Sequence, residues 1–116
     1  MGYLWEHIVL NETHGQLPVG EIRYWRDKQK HEIDFIYLRK GNDNPIAIEC
    51  KWSANQFNPK SLLAFRKLHP KGLNLVVAVD IDQAYAKNIS GIDVMFINLN
   101  ELILKLSGST CEAKNI

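Results

Sequence analysis

The sequence predicts a single α/β domain built on a mixed sheet, an antiparallel meander continued by a parallel crossover strand, with flanking helices. Three observations carry that prediction. Residues 21–52 contain three segments rich in β-formers, separated by short polar turns. Residues 60–68 place Leu62, Leu63, Phe65 and Leu68 at helical spacing. Residues 73–79 form a nearly continuous apolar run, as expected of a strand covered on both faces. Strand, helix and buried strand in succession imply a crossover and a parallel pairing. A chain of 116 residues has room for one such core and for no second one of substance.

In chain order the elements read α-β-β-β-α-β-β-α. Residues 1–14 read as a helix, because Trp5, Ile8 and Val9 recur at three- and four-residue spacing and Gly15 supplies a stop. Glu6 falls near the edge of that buried stripe, and Glu12 well round the helix from it. A loop over 16–20 follows, marked by Pro18 and Gly20. Residues 21–26 and 31–39 form a hairpin across the polar turn 27–30. Ile33, Phe35 and Tyr37 share one face of its second strand; Glu32, Asp34, Ile36 and Leu38 share the other. The turn at 40–45 leads into a third strand over 46–52. Period two sends Glu49 and Lys51 out of one face of that strand, and Ile48, Cys50 and Trp52 out of the other. After the helix at 60–68 and the strand at 73–79, residues 80–91 read as a loop and 94–97 as a short last strand. Asn98 caps a final helix over 99–106. Residues 107–116 read as a flexible tail of the one domain, 1–116.

Composition narrows the function classes. With 46% hydrophobic and 23% charged residues the chain suits a soluble globular protein. Its apolar runs are too short to cross a bilayer, and Glu6 and His7 fall where a signal sequence would need apolar residues, so no membrane partner is expected. Two cysteines, Cys50 and Cys111, make neither a disulfide framework nor a metal-ligand spacing, which points to a reducing cytoplasm. The net charge of +1 hides an uneven distribution: residues 21–71 hold eleven Lys/Arg and six Asp/Glu, the remainder three and seven. The basic half suits a surface that meets phosphate. Within it Lys60, Arg66 and Lys67, with His69 and Lys71, would form a strip able to contact a nucleic-acid backbone. The four histidines show no zinc spacing and read as structural. Trp5, Trp25 and Trp52 read as core.

The chemistry gathers on the second and third strands. An acid and a base side by side in an apolar strand are costly to desolvate unless they serve each other, a metal or a substrate. Taken alone, Glu49-x-Lys51 reads as a solvent-facing ion pair. With Asp34 one strand away on the same side, three charged groups converge. Two carboxylates offer hard oxygen ligands to Mg²⁺ or Mn²⁺. Such an ion lowers the pKa of a bound water and polarises a phosphoryl oxygen, while a neighbouring ammonium stabilises developing negative charge. That is the inventory of phosphodiester hydrolysis.

The same residues carry a family likeness. Glu32-Ile33-Asp34-Phe35 followed by Ile48-Glu49-Cys50-Lys51, after a helix bearing Glu6, resembles the PD-(D/E)xK nuclease superfamily, with Ile33 where that pattern has proline. Adding Tyr24-Trp25-Arg26 before and Trp52-Ser53 after, the chain is similar to the domain of unknown function 4143 (DUF4143), which typically ends AAA-type ATPases of bacteria and archaea. The resemblance runs from Trp5-Glu6 to the strand at 73–79. It implies a restriction-endonuclease-like fold, with Asp34 and Glu49 as metal ligands, Lys51 as the catalytic lysine and Glu6 as a supporting acid. It implies a Mg²⁺- or Mn²⁺-dependent endonuclease acting on DNA, working as a homodimer where two strands must be engaged. No Gly-x-x-x-x-Gly-Lys-Ser/Thr loop occurs, so an N-terminal ATPase region is expected outside this chain, which reads as a cut-down domain. The competing expectation is a module that keeps the fold without catalysis and binds DNA or a protein.

Overall fold

The computed structural model describes residues 5–11, 21–38 and 44–106. The expected helix at 1–14 is thus described over 5–11 only. The loop at 16–20, most of the turn at 40–45 and the tail at 107–116 lie outside the described residues. Helix α1 (residues 5–11) is followed by strands β1 (Glu21–Arg26), β2 (Glu32–Leu38) and β3 (Ile46–Lys51). A short 3₁₀ turn, Ala54–Gln56, leads to helix α2 (Lys60–Leu68); then come β4 (Asn74–Ala78), β5 (Tyr85–Ile89), β6 (Ile92–Ile97) and helix α3 (Leu99–Leu106). The strands make one mixed sheet in the order β1-β2-β3-β4-β6-β5. β1, β2 and β3 form the antiparallel meander; β3 pairs parallel with β4, and β4 with β6.

The expected class and succession hold, with one strand added. β5 lies inside the 80–91 stretch read as a loop and pairs antiparallel with β6. Ile89 sits opposite Ile92, so Ser90 and Gly91 form a two-residue turn, and both have positive φ, 52° and 88°. That left-handed pair matches the twist of a tight hairpin, which a type I or II turn would splay. At the other end of β6, Asn98 caps α3 as expected. Its Oδ1 accepts the Glu101 N–H at 2.9 Å, and Glu101 Oε1 accepts the Asn98 N–H at 3.2 Å, a reciprocal capping box.

Alternation sorts the strand side chains into two layers. Phe35, Ile48, Leu75 and Ile97 pack beneath Trp5 and Val9 of α1 and Leu102 and Leu106 of α3. Ile36, Ala47, Val76 and Phe96 pack on the opposite face, beneath Leu62 and Phe65 of α2. The Trp5 indole N–H donates to the Val77 carbonyl at 3.0 Å, which pins α1 to the sheet centre. Several side chains depart from the expected core, among them Ile8 of α1 and Leu73 and Val79 at the two ends of the 73–79 run, all exposed. Leu68 is exposed because α2 ends there, and Trp52 follows β3 in a bend and is 37% exposed.

One departure in β2 matters for function. Between the pairs Arg23–Ile36 and Trp25–Ile33, two steps along β1 answer three along β2. The extra residue is a β-bulge at Asp34–Phe35, and it breaks the strict alternation. Ile33 therefore joins Ile36 on the α2 side, rather than sharing a face with Phe35 and Tyr37.

The parallel half of the sheet is locked by Arg66, which is 6% exposed. Its Nε donates to Asn74 Oδ1 at 2.6 Å. One terminal nitrogen donates to the carbonyls of His69 and Lys71, the other to those of Pro45 and Leu73, all at 2.7–3.0 Å. Every guanidinium N–H thus satisfies an acceptor inside the fold, and the clamp ties the end of α2 to the starts of β3 and β4. Gly72 completes it. Its φ is +133°, and a Cβ there would stand 2.0 Å from the Pro45 carbonyl oxygen, so only glycine fits. Arg66 is therefore removed from the basic strip expected on α2: it is buried and its donors are occupied.

Replacing Arg66 with Met should lower stability by about 3 kcal/mol, because several buried carbonyls lose a charged donor. Lys67→Ala, on the exposed side of α2, should stay within about 0.5 kcal/mol. Urea unfolding of the two variants checks the assignment; an Arg66→Met midpoint equal to wild type would contradict it.

Candidate functional site

The ladder between β2 and β3 runs through Tyr37–Ile46, Ile36–Ala47 and Phe35–Ile48, and ends there. The next residues, Asp34 and Glu49, do not exchange backbone hydrogen bonds. Their side chains fill the split instead. The Asp34 carboxylate accepts the Cys50 N–H at 2.7 Å, and Glu49 Oε1 accepts the Asp34 N–H at 3.4 Å. The bulge thus opens the strands, and two carboxylates satisfy the backbone donors that the opening strands.

The two carboxyl groups also meet each other and share a side-chain hydrogen bond. Glu49 is 5% exposed. Burial first, and the Asp34 charge second, push its pKa up to about 8. Burial likewise raises Asp34, against the lowering pull of the Cys50 N–H and of Lys51. Glu6, from α1, is raised by burial and then by the Asp34 charge. Lys51 acts electrostatically on all three acids but forms no ion pair with any described carboxylate. The Glu49–Lys51 surface ion pair, one of the expectations raised by the spacing, is therefore not formed. Cys50 faces the α1 side; burial drives its thiol well above the ordinary range, which leaves it unreactive.

These groups stand at one wall of an open cleft of about 870 Å³, which Glu6, Asp34, Glu49, Lys51 and Lys60 all line. Five of the seven residues expected at a site are thus brought together. Arg66 is not among them, for the reason given above, and Lys67 is exposed on α2 away from the cleft lining. A further part of the lining was not anticipated. It comes from the β1–β2 turn and the first turn of α2, through Arg26, Lys30, His31, Glu32 and Ser61. No local signal pointed there: Arg26 pairs with Glu32 in the hairpin, but what the turn between them covers is set by the tertiary fold.

Among the described residues no group of three or more His, Cys, Asp or Glu donors is placed to hold a metal. What the fold assembles is a two-carboxylate set. Its chemistry fits Mg²⁺ or Mn²⁺, which bind through one or two carboxylates and complete their shell with water and phosphate oxygens. Two carboxyls held together in a half-dry site, each with raised proton affinity, are also what a divalent cation would relieve. Glu6 adds negative charge to that environment rather than a third donor.

An α/β domain with paired carboxylates at a strand split, beside a lysine that forms no ion pair among the described residues, is the class that fold and site define. A family model matches residues 1–100, and the chain belongs to that family: DUF4143, a domain of unknown function. No curated protein sequence matches. Among solved structures the fold is similar to a chain of a refined half-complex from the tetradecameric assembly of Thermococcus gammatolerans McrB AAA+ hexamers with bound McrC. The TM-score is 0.57 at 14% identity, over 84% of this chain and 28% of that one. At that identity the likeness is one of fold, and this chain spans about a quarter of the other's length.

The raised pKa of Glu49 fixes the sign of a pH effect. Between 4.5 and about 8 the folded protein holds a proton that the unfolded chain has released. With divalent ions chelated, stability should therefore fall as pH rises through that window, and Glu49→Gln should flatten the slope and gain stability at its alkaline end. Urea midpoints measured across the range check this. A wild-type midpoint that rises with pH there would contradict it.

Proposed function

We propose that this domain hydrolyses phosphodiester bonds of DNA with Mg²⁺ or Mn²⁺, in the manner of the PD-(D/E)xK nucleases, and works beside an AAA-type ATPase. One observation carries the reading: Asp34 and Glu49 meet in the split between β2 and β3, on a cleft wall where Lys51 has no carboxylate partner among the described residues.

Asp34 and Glu49 would hold the ion through the carboxylate oxygens that do not accept backbone N–H groups. The bound ion supplies a lowered pKa to a water and polarisation to a phosphoryl oxygen. The chain's own residues do the rest. The Cys50 N–H holds the Asp34 carboxylate, and the Asp34 N–H holds that of Glu49, so both are oriented before substrate arrives. Lys51, which forms no ion pair among the described residues, would direct its N–H donors to a non-bridging phosphate oxygen or the attacking water, where charge builds as the P–O bond breaks. Glu6, through the Trp5 anchor of α1, adds a further acid near Lys51.

The DUF4143 resemblance supports an ATPase partner, and the structural neighbour's origin in an AAA+ assembly agrees with it. A homodimer is the arrangement by which such a domain would engage both strands of a duplex.

Calorimetric titration with Mn²⁺ tests the reading. Wild type should bind one ion, and Asp34→Ala and Glu49→Ala should each lose that binding at least about tenfold. Plasmid cleavage should then require the ion, and Lys51→Ala should reduce the rate about a hundredfold or more while keeping Mn²⁺ affinity. Absence of wild-type binding would overturn the metal site. Binding without cleavage of any plasmid or branched DNA would favour the competing reading, a module that retains the fold and binds without turnover.

A further inference from the structure

The part of the cleft lining that comes from the β1–β2 turn is held in a defined conformation. Asp27 organises the β1–β2 turn: its Oδ1 accepts the N–H groups of Gln29 at 2.9 Å and His31 at 2.8 Å. Its Oδ2 meets Nδ1 of the His31 ring at 2.8 Å. Lys30 is held at a φ of 68°, a left-handed conformation unusual for a residue with a Cβ. The outcome is that Lys30 and His31 both line the cleft. Asp27 fixes which ring nitrogen is committed, and His31 Nε2 has no partner among the described residues. With both nitrogens protonated, the ring donates Nδ1–H to Asp27 and keeps Nε2–H to donate elsewhere.

Two groups from α2 complete that lining. Lys60 lines the cleft and forms no ion pair with a described residue. Ser61 Oγ accepts the Glu32 N–H at 3.2 Å, so its own proton can be donated into the cleft. The nearby Arg26 and Glu32 differ, since they bind each other at 3.0 Å. Left over are two lysines, a hydroxyl proton and, with the ring doubly protonated, an imidazole N–H, donors of the kind that receives a phosphate.

We propose that Lys30, His31, Lys60 and Ser61 form a second phosphate subsite, which holds the phosphate of a single nucleic-acid strand next to the one over Asp34 and Glu49. The subsite rests on the hydrolytic reading for its neighbour, not for its own chemistry. Glu32, whose N–H binds Ser61, lies two residues from Asp34, roughly 7 Å along a strand and comparable with one nucleotide of backbone. The minimal substrate is then a strand with two consecutive phosphates. A mononucleotide or an isolated diester would occupy only one of the two places. His31 and Ser61 supply directional bonds, and the lysines supply charge.

Fluorescence anisotropy of a labelled single-stranded oligodeoxynucleotide, in EDTA and over a range of salt concentrations, tests the proposal apart from catalysis. Lys30→Gly removes the charge while suiting the left-handed backbone; Lys60→Gln and His31→Gln remove the other contacts. Each should weaken binding about three- to tenfold, and each lysine change should reduce the slope of log K against log salt by about 0.7. Lys67→Gln, outside the cleft, should do neither. All variants should bind Mn²⁺ as wild type does, since none touches Asp34 or Glu49. Wild-type oligonucleotide affinity and salt slope in the three cleft variants would overturn the subsite, as would failure of the wild type to bind the oligonucleotide. Loss of binding in the cleft variants, in a protein that binds no Mn²⁺, would keep the subsite and overturn the hydrolytic reading instead.

Discussion

The parting of β2 from β3 beyond the Phe35–Ile48 pair is the constraint on which the rest of the site depends. A continuous ladder would set Asp34 opposite Glu49 and bond the backbone of Cys50 to that of Ile33, and would leave the carboxylates no structural task. Because the bulge at Asp34–Phe35 interrupts pairing, two N–H groups need acceptors, and the side chains of Asp34 and Glu49 supply them. The backbone need explains why two acids tolerate one another in a half-dry place. It also draws them to one point, so a structural repair doubles as a candidate cation site.

The remaining architecture keeps that split in position from two sides. On the parallel side, Arg66 gathers carbonyls at 45, 69, 71 and 73, and Asn74 passes the connection on to the Asp93 carbonyl at 3.0 Å. This clamp aligns β3 with β4 at the end remote from Glu49, so β3 is held firmly while its other end opens. On the α1 side, the Trp5–Val77 bond carries Glu6 to within electrostatic reach of Asp34 and Lys51. Ser53 closes the C-terminal end of β3: its hydroxyl donates to Asp80 at 2.8 Å, and Asp80 accepts the Ala54 N–H at 3.0 Å, which fixes the chain's exit towards α2 and its part of the cleft lining.

How much of this is legible in sequence depends on the range of the interaction. Glu49 and Lys51 are readable together because a strand has period two, and Asp34 because a short polar link makes its strand a neighbour. Helix α2 shows its bounds at Asn58-Pro59 and Pro70. The bulge is not readable: no glycine or proline marks it, and it arises from how β1 and β2 match along their length. Arg66 looks like one charge in a basic strip, although its spacing of four from Leu62 already puts it on the inward face of α2. β5 is missed because Tyr85–Ile89 is an exposed edge strand with little apolar alternation, and only the Ser90-Gly91 pair announces its hairpin. The wall formed by Lys30, His31 and Ser61 is invisible for a different reason, since local sequence does not say which end of a sheet a turn will overhang.

The most direct measurement is a crystal of the protein grown with Mn²⁺ and examined by anomalous diffraction. A single strong peak is expected about 2.1 Å from a carboxylate oxygen of Asp34 and from one of Glu49. It should lie on the cleft side, with the Cys50 N–H still bound to Asp34. A peak elsewhere, or none while the two carboxyls remain hydrogen-bonded to one another, would contradict that expectation.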